Sequence, residues 1–346
     1  MTENKRFIQT LKGLPTDRPP FWFMRQAGRY LPEYMAIRKE AGSFLDLCYN
    51  PDFAVEVTLQ PLRRYDMDAA ILFSDILVIP HALGQHLEFR QGKGPVLEPV
   101  DTVEKLEKLS LDNLHEKLAP VYETVSRLSR EIPGHTALIG FAGAPWTVAS
   151  YMVGGKGSPD QAAARLWAYG DEVAFQALMD LLVEATSRYL IRQVEEGAEV
   201  LQVFDTWAGN LPMEEFRKWC MAPTKKIIEN IRSRFPDIPI IGFPRGAGPR
   251  YPEYIRQTGV TAVSIDTSMP ADWARDNIQS LCPIQGNLDP LLLVSGGKAL
   301  EKAVLNILDT LSAKPFIFNL GHGIVPQTPP EHVAVVSDLV RNYVRN

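Results

Sequence analysis

Two arginines four residues apart, Arg25 and Arg29, directly follow a short apolar run at residues 20–24. The run has the length and composition of a buried strand, and Gly28 between the arginines lets the backbone come close to a ligand. Arginine presents a planar fork of donors that stays charged at physiological pH, so this pair suits a carboxylate or a phosphate. The alternative is a pair of surface arginines at the start of a helix. Because the preceding run is too apolar to lie at the surface, the sequence favours an anion-binding site.

A carboxylate, Asp75, follows Ser74 at the end of one apolar run and precedes another at residues 76–79. A carboxylate in such a setting is either paired in the core or directed at a ligand. Capping of a following helix by Ser74 and Asp75 is the alternative to the ligand role. Asp205 with Thr206 is open to the same two interpretations, whereas Asp266 is expected to be the N-cap of the helix that follows it.

His322 lies between Gly321 and Gly323 after the last apolar run of the chain. The glycines remove side-chain bulk beside the imidazole, so we expect His322 to face a ligand. Arg245 also ends an apolar run and is a weaker candidate for additional positive charge. Tyr151 either offers its hydroxyl to a ligand or packs in the core, and periodicity does not decide between the two.

Common metal-binding signatures are missing from the sequence: it has no HExxH, no His-x-Cys pair and no carboxylates at ligand spacing. The segment at residues 154–158 lacks the Gly-Lys-Ser/Thr order of a phosphate-binding P-loop, and we interpret it as a mobile loop. The sequence therefore predicts no bound metal.

Eight short apolar runs, each followed at once by polar residues, Gly or Pro, recur along the chain. They cover residues 20–24, 69–73, 137–141, 199–204, 239–243, 261–265, 282–285 and 316–320. Amphipathic helical stretches cover residues 52–65, 116–130, 161–196, 213–234, 252–258, 271–279, 291–311 and 330–344. Strands that alternate with helices pair in parallel, and eight such units predict an α/β fold, a (β/α)8 TIM barrel. A doubly wound open sheet is the alternative, although no GxGxxG fingerprint opens the first unit.

In such a barrel the loops after the strands share one face, where catalytic groups are placed. The candidate residues lie in those loops. The segment at residues 80–99 is too long for a simple connection, so we expect a hairpin or a lid beside the site. The chain shows no internal repeat or linker, which predicts a single domain over residues 1–346.

The composition is that of an ordinary globular protein, with 346 residues, 45% hydrophobic and 22% charged. A formal net charge of -5 argues against general binding of nucleic acid. Three widely spaced cysteines predict no disulfide framework, and the N-terminus has no apolar core of a signal peptide. No apolar run has the length of a membrane span. We therefore expect a soluble, cytoplasmic protein.

Five motifs resemble one known family over nearly the whole chain. They are PFWFMRQAGRYLPEY at residues 20–34, LQPLRRY at 59–65, FSDIL at 73–77, GFAGAPWT at 140–147 and NLGHGI at 319–324. Together they are similar to the uroporphyrinogen decarboxylase family, whose fold is a (β/α)8 barrel that forms a homodimer. The resemblance departs from some members at Met35, where they carry an Arg, and at Thr206-Trp207, where they carry Ser-His.

Carried over residue by residue, the resemblance implies catalytic roles for Asp75 and Arg25. It implies a substrate-binding pocket that comprises Arg25, Gln26, Ala27, Gly28, Arg29, Arg38, Asp75, Tyr151, Thr206 and His322.

The reaction that the resemblance implies is the loss of carbon dioxide from the four acetate arms of uroporphyrinogen III, without a cofactor. The product is coproporphyrinogen III, on the route to haem and chlorophyll. Asp75 is expected to accept hydrogen bonds from the pyrrole N–H groups and to stabilise a cationic ring, while Arg25 and Arg29 hold carboxylates. Two alternatives remain: a zinc-dependent methyltransferase of similar fold, which the absence of a Cys beside His322 disfavours, and a non-catalytic tetrapyrrole carrier, which has no use for Asp75.

Overall fold

The structure is a computed structural model that describes residues 4–90, 92 and 94–344. Its strands are β1 Ala69–Ile71, β2 Leu87–Arg90, β3 Gly94–Leu97, β4 Ala137–Gly143, β5 Val200–Asp205, β6 Ile240–Pro244, β7 Ala262–Ser264, β8 Ile284–Leu288 and β9 Phe316–Leu320. Seven of them form one sheet in the order β1-β4-β5-β6-β7-β8-β9, in which each neighbouring pair is parallel. The predicted α/β barrel is confirmed, and the open doubly wound sheet is wrong.

Helices cover the outside of this sheet. They are α1 Arg6–Leu11, α2 Pro32–Glu40, α3 Phe44–Tyr49, α4 Pro51–Tyr65, α5 Val78–Leu83, α6 Val103–Leu106, α7 Leu114–Glu131, α8 Pro145–Gly154, α9 Ala162–Gly170, α10 Glu172–Glu195, α11 Met213–Glu215, α12 Ala222–Arg232, α13 Tyr251–Thr258, α14 Ala271–Asn277, α15 Pro290–Ser295, α16 Gly297–Leu311 and α17 Pro330–Arg341. A π-helical segment, Phe216–Met221, joins α11 to α12.

The first predicted strand, residues 20–24, closes the barrel without becoming a regular strand. Phe21 forms a single parallel bridge with Phe318 of β9. On the other side, the backbone N–H of Asp68 donates to the Phe21 carbonyl at 3.0 Å. Pro20 has no N–H for a ladder, and the N–H of Phe21 donates to the Asp68 carboxylate instead. The chain therefore links β9 to β1 through isolated bonds, and the prediction of an eighth ladder strand is wrong.

Polar side chains cross the interior of the barrel beneath its mouth. The Trp22 indole donates to the Gln285 side-chain carbonyl at 2.8 Å. The Gln285 amide in turn donates to Gln202 and to Ser264, each at 3.1 Å. All four residues are buried, and buried polar groups of this kind specify one arrangement when their partners are present.

Two long predicted helices are interrupted in the structure. The stretch at residues 161–196 breaks at Asp171, whose carboxylate accepts from the N–H of Ala174 and begins α10. The stretch at residues 291–311 breaks at Gly296 and Gly297, which have φ angles of 67° and 62°. This left-handed conformation favours glycine and ends α15.

The segment at residues 80–99 contains a hairpin, as predicted. Strands β2 and β3 are antiparallel, with Leu87 opposite Leu97. The N–H of Leu97 donates to the carbonyl of Gly155 at 2.8 Å. The hairpin is thereby attached to the end of α8, a helix that the sequence analysis did not identify.

Candidate active site

The candidate residues occupy the loops at the carboxyl ends of the strands. Arg25 follows the closing segment, Asp75 follows β1, Tyr151 lies on α8 after β4, Thr206 follows β5, Arg245 follows β6 and His322 follows β9. In a parallel barrel these ends share one face. The fold therefore brings the candidates to one mouth, which we call the cleft.

Arg25 is held by a strained turn at the edge of the cleft. Its φ angle is 62°, a left-handed conformation that is uncommon for a residue other than glycine. The N–H of Gln26 donates to the Phe23 carbonyl at 2.8 Å and closes the turn. The preceding residue, Met24, donates its N–H to the Asn319 side chain at 3.0 Å. Strain of this kind persists where the surroundings fix the backbone, and it is frequent at functional sites.

The two glycines beside His322 make room for neighbouring loops, whereas the sequence predicted that they make room for a ligand. A Cβ atom on Gly323 would overlap the side chain of Arg25, and a Cβ atom on Gly321 would overlap the backbone of Thr267. The glycines therefore let neighbouring loops pack closely against the His322 loop. The expectation that they make room for a ligand is replaced by this packing role.

Asp75 is a part-buried carboxylate at the end of β1. Its Oδ1 accepts a hydrogen bond at 2.8 Å from the N–H of Leu77, the residue directly before α5. Within the described residues its Oδ2 accepts no hydrogen bond. Burial raises the pKa of Asp75, while the Leu77 N–H and the charge of Arg25 act in the opposite direction. One oxygen orders the turn into α5, and the other is available to a ligand.

The guanidinium of Arg25 lies at the centre of this arrangement. Enclosure by the cleft lowers the pKa of Arg25, and the nearby charges of Arg29 and Arg245 lower it further, whereas Asp75 and Tyr151 raise it. Positive charge thus accumulates around the Asp75 carboxylate. Such a field attracts an anionic ligand.

Tyr151 contacts Trp207, which the sequence analysis did not single out as a site residue. Their ring centroids are 6.3 Å apart. Burial raises the pKa of Tyr151, and the neighbouring Asp75 adds to the shift. The phenol is therefore a neutral hydrogen-bonding group close to Asp75.

His322 is neutral at physiological pH. Burial lowers the pKa of His322 to about 4, and the positive charges of Arg25 and Arg245 contribute to the shift. Its ring centroid lies 6.5 Å from that of Phe243. The imidazole can donate or accept a hydrogen bond in the cleft, but it adds no positive charge there.

The alternatives at Asp205 and Asp266 are decided by their partners. Asp205 is buried and accepts from the Thr147 hydroxyl at 2.5 Å; burial raises the pKa of Asp205 to about 6. The same hydroxyl accepts from the N–H of Trp207 at 3.1 Å, so Asp205 orders the loop that carries Thr206. Asp266 does not cap a helix, because α14 begins only after Pro270.

Four residues that the family resemblance assigned to the substrate, Gln26, Ala27, Gly28 and Arg38, have surroundings that the sequence did not predict. The Gln26 side chain is buried and donates to the Ala69 carbonyl at 3.5 Å, so only its backbone borders the cleft. Ala27 and Gly28 are half-buried in the same turn, and a Cβ atom on Gly28 would lie 3.1 Å from the Arg25 carbonyl oxygen. Arg38 lies on α2, donates to the Gly42 carbonyl at 3.1 Å, and is not among the charges that act on Arg25.

Comparison with known proteins identifies the family to which the chain is similar. The family model described as uroporphyrinogen decarboxylase (URO-D) matches residues 2–343. The protein of that name from Rhodospirillum rubrum is 57% identical over 97% of both chains. The one from Chelativorans sp. is 54% identical over 97% of this chain and 98% of its own.

The chain belongs to the uroporphyrinogen decarboxylase family.

Proteins outside this family have the same barrel fold. A solved methyltransferase structure from Methanosarcina mazei aligns with a TM-score of 0.78 over 97% of both chains, at 20% sequence identity. At that identity the likeness shows the fold alone. Within residues 4–90, 92 and 94–344, no three His, Cys, Asp or Glu side chains lie close enough together to hold a metal ion. None of the described helices is long and apolar enough to cross a membrane.

An aromatic wall lines the barrel of this family member beside His322, and the sequence analysis missed it. Phe204 packs edge to face against Phe141 and Phe243, with ring centroids 5.7 and 6.1 Å away. The signal was present in the sequence, because each Phe lies near the end of its apolar run. Together these rings form an apolar layer along β4, β5 and β6, next to His322.

A groove of about 850 Å³ lies outside the cleft of this decarboxylase family fold, between α7 and α10. It is rich in arginine, but those side chains are paired at the surface. Arg192 forms ion pairs with Glu195 and Glu196, and Arg234 forms one with Glu195. We interpret the groove as a surface ion-pair network.

Proposed function

We propose that residues 1–346 act as one cytoplasmic catalytic domain that decarboxylates the four acetate arms of uroporphyrinogen III. The products are coproporphyrinogen III and four molecules of carbon dioxide, and the reaction uses no cofactor. Membership of the uroporphyrinogen decarboxylase family supports this carboxy-lyase activity. The observation that carries the proposal is one part-buried carboxylate, Asp75, in a cleft otherwise charged by arginines.

Decarboxylation requires a place for the electron pair of the broken bond. Protonation of the pyrrole carbon beside an acetate arm makes the ring cationic. The bond from the acetate methylene to its carboxyl carbon then breaks, carbon dioxide leaves, and the electron pair forms an exocyclic double bond that neutralises the ring. A proton added to the methylene carbon gives the methyl group, and loss of the ring proton restores the pyrrole. Each arm thus takes up one proton and releases one carbon dioxide.

Asp75 supplies the electrostatic part of this reaction. Its Oδ2 accepts hydrogen bonds from the pyrrole N–H groups and stabilises the cationic ring, which is charged only while the reaction proceeds. The role requires the ionised carboxylate. Because burial raises the pKa of Asp75, turnover falls as the pH drops through that raised pKa.

The remaining site residues position the substrate. Arg25 and Arg29 bind its carboxylates and orient the arm to be lost. The Tyr151 and Thr206 hydroxyls and the neutral His322 imidazole offer hydrogen bonds around the macrocycle, while the backbone of residues 26–28 borders it. Arg38 reaches peripheral carboxylates from α2.

The active form is a homodimer. The family resemblance supports this assembly, and exposed apolar side chains offer a surface for it. Leu166 and Val173, on α9 and α10, are 69% and 82% exposed, and Tyr169 between them is 53% exposed. Sedimentation equilibrium tests the assembly: we expect twice the chain mass, and a smaller mass for Leu166→Asp. The chain mass alone for the wild type would contradict it.

The activity is tested with purified, chelator-treated protein and uroporphyrinogen III under anaerobic conditions. Chromatography of the oxidised products should show porphyrins with seven, six, five and then four carboxylates in succession. Tight binding with all eight carboxylates left intact would indicate a carrier and contradict the enzyme.

A further inference from the structure

Arg245 is the cleft arginine that the family motifs do not include, and its backbone is fixed on several sides. Its N–H donates to the Asp205 carbonyl at 3.1 Å. The next N–H, of Gly246, donates to the Asp266 carboxylate at 2.7 Å. The guanidinium of Arg250 donates to the Gly246 carbonyl at 2.9 Å. A loop held in this way presents its side chain in one place, which is the condition for a preorganised binding group.

The side chain of Arg245 has no carboxylate partner among the described residues. Asp266 is the nearby candidate, but it already accepts from the Gly246 N–H and from both the N–H and the hydroxyl of Ser268. By contrast, the guanidinium of Arg250 in the same loop donates hydrogen bonds to the carbonyls of Gly209 and Leu211. Arg250 therefore builds the loop, whereas Arg245 keeps its donors for another group.

The charge of Arg245 is directed into the cleft. Arg245 directly follows β6 and lies two residues after Phe243, whose ring centroid is 6.5 Å from that of His322. In agreement with this position, its charge lowers the pKa of both Arg25 and His322. Asp75 is acted on by Arg25 but not by Arg245. In the sheet order β6 lies three strands from β1, so Arg245 enters the cleft from a different side than Asp75, and it shares that side with Phe243, the ring partner of His322.

We propose that Arg245 is a carboxylate-binding residue for the substrate, on the side of the cleft that His322 occupies. The inference rests on the proposed function, in which the substrate carries eight carboxylates on a macrocycle whose centre lies at Asp75. Two unpaired guanidinium groups near a neutral imidazole repel each other until an anion lies between them. A carboxylate bound by the fork of Arg245 removes this repulsion and fixes the rotation of the macrocycle about Asp75.

The carboxylate belongs either to an acetate arm, which is lost, or to a propionate arm, which is kept. The two sources share their chemistry and differ in what the product retains. Weaker binding of substrate and product alike would identify a propionate, and weaker binding of the substrate alone would identify an acetate.

The test compares Arg245→Gln, Arg245→Lys and the wild type in anaerobic assays with uroporphyrinogen III. Arg256→Gln is the matched control, because it removes the same charge from an exposed position on α13. The measured quantities are KM, kcat, equilibrium binding of uroporphyrinogen and inhibition by coproporphyrinogen. The ring titration of His322 by NMR reports whether Arg245 lies beside it.

We expect Arg245→Gln to raise KM and the dissociation constant about 10- to 100-fold, the usual loss for a charged hydrogen bond. The value of kcat should change less than KM, Arg245→Lys should recover part of the affinity, and the pKa of His322 should rise in Arg245→Gln. Arg256→Gln should leave all four quantities unchanged.

Affinities in Arg245→Gln within about twofold of wild type, with the His322 titration unmoved, would overturn the inference. If Arg245→Gln does not fold, Arg245→Lys decides the question. Lys keeps the charge but lacks the planar guanidinium fork, so KM should still rise in that variant. Failure of the wild type to release carbon dioxide would count against the proposed function, and Arg245 would then be judged by equilibrium binding alone.

Discussion

Two aspartates flank the same short strand, β1, and their surroundings are opposite. Asp68 precedes the strand, is 1% exposed, and accepts from Arg6 and Arg18 at 2.7 Å and from the Phe21 N–H at 3.0 Å. Asp75 follows the strand, and among the described residues it accepts only from the Leu77 N–H. The carboxylate of Asp68, at the bottom of the barrel, therefore has its hydrogen bonds from the protein. The carboxylate of Asp75, at the mouth, can still accept hydrogen bonds from a ligand.

The arginines at the two ends differ in the same way. Arg6 and Arg18 are held in ion pairs with Asp68. Arg25 and Arg245 make no ion pair among the described residues. Arg25 is exposed at the mouth, where partial desolvation of its guanidinium and the charges of Arg29 and Arg245 lower its pKa. The bottom of a barrel serves stability and its mouth serves chemistry, so substitutions at the two ends should separate stability from turnover.

The largest expected effect on stability is at the bottom. Asp68→Asn leaves two arginines with a weakened partner inside the barrel, and breaking a buried ion pair costs about 3–5 kcal/mol. Urea unfolding should show that loss, while kcat per folded molecule stays near wild type.

Asp17→Asn is the control for Asp68. Asp17 also pairs with Arg6, but its side chain is 71% exposed, so its loss should cost less than about 1 kcal/mol. Equal losses for the two variants would show that burial of the Asp68 network is not what stabilises the barrel.

A smaller effect separates the two glycines beside His322. Gly321→Ala places a methyl group against the backbone of Thr267, which cannot move cheaply, and should cost about 1–3 kcal/mol of stability. Gly323→Ala places its methyl group against Cγ and Cδ of Arg25, so the Arg25 side chain must move as a whole. It should cost less stability than Gly321→Ala, because a side chain moves more easily than a backbone, and it should lower kcat/KM about tenfold by displacing Arg25. A greater loss of stability in Gly323→Ala than in Gly321→Ala, with activity kept, would contradict this assignment.

The last comparison concerns pH. The pKa of His322 falls from 6.5 to about 4 on folding, so the unfolded chain binds a proton more readily than the folded one. Its contribution to stability is therefore present above pH 6.5 and is lost as the pH falls towards 4. His322→Gln should show a smaller drop in melting temperature between pH 7 and pH 4.5 than the wild type. The same drop in melting temperature in both proteins would indicate that the His322 imidazole is exposed to solvent and not buried.

The parts of the fold that sequence predicted well are the strands buried on both faces. In β4 all seven residues are buried, and such strands read as continuous apolar runs bounded by turn residues. Helix α8 was missed for a related reason. Nearly all of its residues are buried, so it has no polar face and no helical period to detect.

Sequence predicted which candidate residues meet at the mouth of the barrel, but it predicted much less about their burial and charge. Position after a strand identified Asp75, Arg25, Arg245 and His322, because the barrel brings those loops together. Sequence could not show that His322 is neutral, since its pKa depends on burial and on arginines far away in the chain. Nor could it show that Gly323 makes room for Arg25, a contact between two distant loops.

The most direct test of the central claim is the turnover of Asp75→Asn with saturating uroporphyrinogen, measured together with substrate binding. The substitution keeps the shape and removes the charge that stabilises the cationic ring. We predict that substrate still binds, that the melting temperature does not fall, because ionised Asp75 is disfavoured by burial, and that kcat drops about 10²- to 10³-fold. A kcat near the wild-type value in a folded, substrate-binding Asp75→Asn protein would contradict the account.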